Sequence, residues 1–159
     1  MGCDIHAYLE YRPGWSTNDQ YWWCFAELNI SRNYALFEAL AGVRGELANA
    51  VIPPRGLPKN LAYITQFENV LYISDEKAGR EHWCSSADAA RWVAKGVSHY
   101  ANEEKTSVSN PDWHTPSWLT SDEVQLVAER LPDNPDIQMI AALMKASPLT
   151  VRLVFWFDN

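Results

Sequence analysis

The chain is poor in sulfur and has no long apolar run. Its three cysteines, Cys3, Cys24 and Cys84, are odd in number, far apart and without a Cys-x-x-Cys pair, which excludes a disulfide framework and points to free thiols in a reducing compartment. No apolar stretch approaches the roughly 20 residues that a membrane helix requires, and the amino terminus lacks the basic region and apolar run of a secretory signal. A cytoplasmic protein is the expectation, in the host cytoplasm if a phage encodes it. Met1-Gly2 resembles the start of a myristoylation signal, but His6 stands where that signal needs Ser or Thr. Basic runs are missing too. With a formal net charge of -7, the chain has no stretch able to release counterions from a nucleic-acid backbone, so generic nucleic-acid binding is excluded. Walker loops, HExxH, EF-hand loops and the GxSxG elbow are all absent, and with them the chemistry they carry.

Apolar and aromatic residues are plentiful. At 159 residues and 47% hydrophobic, the chain has enough apolar material for the core of one globular domain spanning 1–159. Eight tryptophans supply both core area and flat surfaces for stacking on rings. In the first ten residues Cys3, Ile5, Ala7 and Leu9 alternate with Asp4, His6, Tyr8 and Glu10. Side chains on a strand alternate between faces, so this segment predicts a strand with one apolar face and one face of acids, an imidazole and a phenol.

Punctuation along the chain predicts the remaining elements. Pro13-Gly14 ends the first strand, over about residues 2–12, in a turn, and aromatic residues 21–27 suit a second strand that completes a hairpin. Leu36, Phe37, Leu40 and Val43 lie at helical spacing within 33–43, with Gly42 and Gly45 as terminators. Three prolines and a glycine around Arg55 predict an irregular loop over 53–58, and residues 70–74 suit a short strand. Ser85 or Ser86 caps a helix whose stripe is Ala90, Val93, Val97 and Tyr100. Residues 112–118 read as a loop. Thr120 and Glu123 then form a capping box ahead of Val124, Val127, Ala128 and Leu131. Asn134 and Pro135 open a last helix burying Ile137, Ile140, Ala141 and Met144. Thr150 to Phe157 is a buried strand. The fold class is therefore α+β: a small mixed or antiparallel sheet containing the N- and C-terminal strands, packed by about four helices.

Two sets of residues carry candidate chemistry. If the terminal strands are neighbours, Asp4 and His6 share a face with Trp156 and Asp158, and the segment around Asp112 and His114 repeats the Asp-x-His spacing. Asp4, His6, Asp112, His114 and Asp158 thus form a mixed N and O set suited to a divalent zinc, manganese or iron ion. The plainer reading is that each His hydrogen-bonds its Asp and orders a strand edge. The second set, Arg32, Arg55, Trp113, Ser117, Trp118 and Trp156, suits an anionic, ring-bearing small molecule such as a nucleotide. Arginine forks recognise phosphate, and indoles stack on bases. Against it stands the ordinary pairing of arginines with surface carboxylates. Cys3 falls on the apolar face, where a thiol is inert.

Several blocks together resemble a family of small phage and bacterial proteins: Met1-Gly2-Cys3-Asp4-Ile5-His6, Arg32 to Phe37 continuing through Leu40 to Arg44, Pro54-Arg55-Gly56-Leu57-Pro58, Ser117-Trp118-Leu119-Thr120, and Val154 to Asn159. The family often reads His-Ser where this chain has His114-Thr115, and the segment from Leu61 to Glu104 carries little of its pattern. The resemblance implies a phage setting and brings no activity with it. That setting fits two classes of function. One is metal-dependent hydrolysis of a nucleotide or other phosphorylated compound. The other is a non-catalytic binder, either a sponge for a signalling nucleotide or an inhibitor docked on a host protein. The aromatic surplus leaves room for an oligomer interface.

Overall fold

A computed structural model of the chain describes residues 2–17, 20–96 and 105–159. In chain order the elements are β1 (Ile5–Tyr11), β2 (Trp23–Leu28), α1 (Tyr34–Ala41), a 3-10 turn (Leu47–Asn49), α2 (Tyr63–Asn69), β3 (Val70–Ile73) and β4 (Trp83–Cys84). They continue with α3 (Ser86–Ala94), β5 (Ser107–Ser109), β6 (His114–Thr120), α4 (Ser121–Arg130), α5 (Pro135–Ala146) and β7 (Val151–Phe157). The fold is α+β, with a four-stranded and a three-stranded sheet. No described helix is long and apolar enough to cross a membrane.

The chain divides into two compact units, residues 1–62 with 114–159, and residues 63–113. In the first, the strand order is β2-β1-β7-β6, and every pairing is antiparallel. The first and last strands are neighbours, with Ile5 opposite Phe157 and Tyr11 opposite Val151, so that Ile5, Ala7 and Leu9 share a face with Phe157, Phe155 and Leu153. One face of β1 and β7 is fully apolar: Ile5, Ala7 and Leu9 pack with Val151, Leu153, Phe155 and Phe157 against Leu36, Phe37 and Leu40 of α1 and the buried stripes of α4 and α5. Each such large side chain contributes about 1.5–3 kcal/mol by leaving water.

The helix ends follow their capping residues. Asn33 accepts from the Leu36 N–H, and Gly42 ends α1 at φ 71°, in the left-handed region that a Cβ disfavours. Thr120 and Glu123 make the reciprocal capping box, and Asn134 caps α5 with Pro135 in the first turn.

Three features depart from the sequence reading. Residues His114–Thr120 form an edge strand rather than a loop. The period-two pattern is masked by a bulge: His114 lies opposite Phe157 but Ser117 opposite Phe155, so Thr115 and Pro116 face a single partner residue. Thr115 takes φ 49° there, and Pro116 sits where no ladder N–H is required. The buried side of α3 is Ala89 with partly buried Trp92 and Val93, whereas Ala90 is exposed. Val97 and Tyr100 of the expected stripe lie outside the described residues. Helix α2 and most of the small sheet were not anticipated. That second unit pairs β3 with β4 in parallel and with β5 antiparallel, around Cys84, Ala89 and Val108. Its α3 is capped by Ser85, and Asp75 accepts from the Ser86 N–H and hydroxyl.

Candidate functional site

The second face of β1 and β7 carries the polar residues, and its two ends differ. Residues directly opposite one another across antiparallel strands share a face. His6 with Trp156, Tyr8 with Val154 and Trp118, and Glu10 with Arg152 and Thr120 therefore all lie on this face.

At the chain-terminal end the candidate residues lock the two termini together. Asp4 takes a bidentate pair from Arg32, Nε to Oδ1 at 2.8 Å and Nη2 to Oδ2 at 2.6 Å. Asp158 accepts from the Asp4 N–H at 3.0 Å and from His6 Nε2 at 2.9 Å, and its own N–H donates to the Asp4 carbonyl at 3.1 Å. Arg44 Nη2 donates to the Gly2 carbonyl and to Asn159 Oδ1. The Arg32 guanidinium holds the Asp4 carboxyl below its ordinary range. Burial pushes the Cys3 thiol up against the pull of Arg44, which suits the inert role expected of it.

The five residues of the expected metal set are not gathered at one point. Asp4, His6 and Asp158 meet, with the His6 ring stacked on Trp156 at 6.0 Å between centroids. His114 lies opposite Phe157, one residue from the partner of His6, so the two imidazoles leave opposite faces of the sheet. The His114 ring stacks on Phe157 at 5.9 Å, with Nδ1 2.9 Å from Thr115 Oγ1. Asp112 belongs to the other unit, where its N–H donates to Asn110 Oδ1. Among the described residues no three of His, Cys, Asp or Glu are grouped as a metal ion requires.

The expected ligand set is dispersed as well. Arg32 is engaged with Asp4 at the chain-terminal end, whereas Trp118 lies opposite Val154. Trp113 lies in the other unit and donates Nε1 to the Glu68 carbonyl at 3.4 Å. Trp156 is buried beneath His6 and Tyr8, and Ser117 is buried with its hydroxyl accepting from the Arg55 N–H. Arg55 and Trp118 do meet. The guanidinium lies 3.7 Å from the indole centroid, donates Nε to the Trp118 carbonyl at 3.0 Å and binds both carboxylate oxygens of Glu123. Burial pushes Glu123 up, but the bonds from Arg55 and from the Thr120 N–H outweigh it and hold the carboxyl below its usual range.

Beside this cluster, at the opposite end of the polar face from the terminal clasp, opens a cavity of about 470 Å³. Its walls include Trp22, Trp118, Thr120, Ser121, Asp122, Lys145 and Arg152. Arg152 is nearly buried. It donates Nε to Glu10 Oε2 at 2.8 Å and its other nitrogens to the carbonyls of Lys59 and Asn60, while Trp22 stacks over it at 3.8 Å. Glu10, fully buried, also accepts from the Ala62 N–H. Two indoles of one cavity wall are thus each backed by a guanidinium. Trp22 is 8% exposed, and among the described residues nothing accepts a hydrogen bond from its Nε1. Thr120 and Ser121 present the first turn of α4, and Lys145 adds an exposed ammonium.

Of these wall residues the sequence pattern points only to Trp118 as a ligand group. Arg152 was the available signal, because a cation inside a seven-residue strand of otherwise apolar residues must be paired. Trp22 and Lys145 carry no such signal. No family model, curated protein or solved structure matches this chain.

Proposed function

We propose that this protein is a non-catalytic binder of a small anionic molecule bearing a planar ring, of the nucleotide class, and that the site is the cavity between Trp22 and Trp118. The observation that carries this reading is the pairing of two guanidinium-backed indoles with Lys145 and the first turn of α4 around one opening of about 470 Å³. A space of a few hundred cubic ångströms lined by aromatics and a few polar groups is the usual form of a small-molecule site. Indole faces accept any base, whereas an ammonium and a helix N-terminus favour negative charge. Asp122 offers an acceptor for a ribose hydroxyl or an exocyclic amine. The net charge of -7 works against anions at a distance, and Glu123 and Glu10 neutralise the two guanidiniums, so recognition of the anion rests on Lys145 and the first turn of α4.

Isothermal titration with nucleoside mono-, di- and triphosphates tests the reading. Saturable binding is expected, weakened about tenfold by Trp118→Ala, in line with the roughly 1–3 kcal/mol that stacking on one base contributes. Lys145→Ala, on the exposed end of α5, is expected to weaken phosphorylated ligands and leave the bare nucleoside unchanged. Absence of heat with every nucleotide at millimolar concentration, in a sample that melts cooperatively, overturns it.

A further inference from the structure

The four-stranded sheet has two edges, and they are finished differently. At β6 the edge is blunted. Pro116 and the left-handed Thr115 form a bulge, the Pro116 carbonyl accepts from the Gly56 N–H at 3.0 Å, and the Trp118 carbonyl accepts from Arg55. A proline in the strand and a loop bonded over its outer edge are means by which natural sheets prevent further pairing, and β6 has both. At β2, which among the described residues pairs only with β1 and does so with one register shift at Phe25, residues 21–28 contain no Pro, Lys or Arg, and Tyr21 to Ala26 carry no charge at all. The same edge exposes large rings: Trp15 at 63%, Tyr21 at 53%, Trp23 at 50% and Phe25 at 62%. These rings touch one another and Tyr11, with Trp15 5.4 Å from Tyr21 and Tyr11 5.9 Å from Trp23. Next to them lies an apolar hollow of about 450 Å³ lined by Leu9, Tyr11, Phe25, Leu143, Pro148 and Leu149.

We propose that this edge is a homodimer interface, in which β2 of one protomer pairs antiparallel with β2 of a second copy and the projecting rings of each protomer fill the hollow of the other. Antiparallel pairing of a strand with itself is generated by a two-fold axis, and a patch holding both a projection and a hollow fits its own copy under that symmetry. The area suffices. Large aromatics bury about 150–250 Å² each when covered, so four rings half or more exposed, with Leu143 and Leu149, amount to about 500 Å² per protomer. Two protomers together reach the roughly 1,000 Å² at which specific association begins. Because Tyr21 to Ala26 are uncharged, two chains of net charge -7 meet where no carboxylates face each other, except for Glu27 near the end of the strand.

Sedimentation equilibrium of the full chain, between about 1 and 100 μM, is expected to show the mass doubling within that range. Hydrogen exchange at residues 23–28 should slow with increasing concentration. Phe25→Lys and Trp23→Lys each alter an exposed ring. They are expected to weaken the dimer at least tenfold while the protomer keeps a cooperative melt, whereas Leu126→Lys, on the exposed side of α4, leaves it intact. Three results overturn the proposal: a monomer at every concentration, a dimer broken by Leu126→Lys but not by the β2 variants, or a monomer whose apolar hollow takes up only an anilinonaphthalene dye.

Discussion

The two ends of the polar sheet face use the same chemistry in different surroundings. At one end Arg152 meets Glu10, with side chains 5% and 0% exposed. At the other Arg32 meets Asp4, with side chains about half exposed. Both are guanidinium–carboxylate pairs that tie β1, or the residue just before it, to a later part of the chain. Water separates their roles. The Arg152 pair sits in a low-dielectric site with Nη1 and Nη2 donating to the carbonyls of Lys59 and Asn60, so it fixes the path of the 59–62 segment and the back wall of the cavity. The Arg32 pair is screened by solvent and closes the termini without enclosing space.

The buried pair gives the largest expected effect. Arg152→Met leaves Glu10 buried without its cation, and the loss should be about 3–5 kcal/mol of folding stability in urea denaturation at neutral pH. The double variant Glu10→Leu with Arg152→Met removes both charges and is expected to recover most of that loss. If the single and double variants are equally unstable, packing rather than charge holds this end together. Arg55→Ala comes next. Arg55 and Glu123 are less than a third exposed, and the change removes a bidentate pair, a bond to the Trp118 carbonyl and a stacked ring. A cost of about 1.5–3 kcal/mol is expected from its charged hydrogen bonds. Arg55→Lys should restore only part of it, since an ammonium cannot form the fork.

The fold was largely legible because its signals are local. Asn33, Thr120 and Asn134 cap through hydrogen bonds to residues three positions on, and the alternation of β1 and β7 states which residues face the core. The meeting of the first and last strands is an expectation of topology alone, because the two runs lie at opposite ends of the chain and nothing local demands it. What remained hidden depends on other parts of the chain. His114 reads as a loop residue until the bulge at Thr115 is known, and the bulge also decides that His114 turns away from His6. Arg55 looks like a free cation in a proline-rich loop, yet Glu123, 68 positions later, engages it. The cavity is hidden for the same reason. Trp22 and Lys145 become wall residues only when the start of β7 brings the end of α5 beside β6.

The exposed pair gives the smallest effect at neutral pH and separates the two ends most clearly on acidification. Asp4 titrates below its ordinary value of 3.8 because Arg32 binds its charged form, and Glu123 titrates below 4.5. A carboxyl whose folded pKa is depressed binds fewer protons in the folded than in the unfolded chain, so stability falls as pH drops from the ordinary value through the folded one. Asp4→Asn removes one of these groups. Its melting temperature at pH 7 should stay close to that of the parent, and closer still in 1 M salt, which screens the exposed pair. Between pH 4 and pH 2 the variant should lose stability less steeply than the parent, and Glu123→Gln should flatten the curve over a window beginning slightly higher. Melts recorded across that range decide the point. If the Asp4→Asn curve runs parallel to the parent's, the clasp at the termini is not linked to protons, and the Arg32–Asp4 pair contributes nothing to folding.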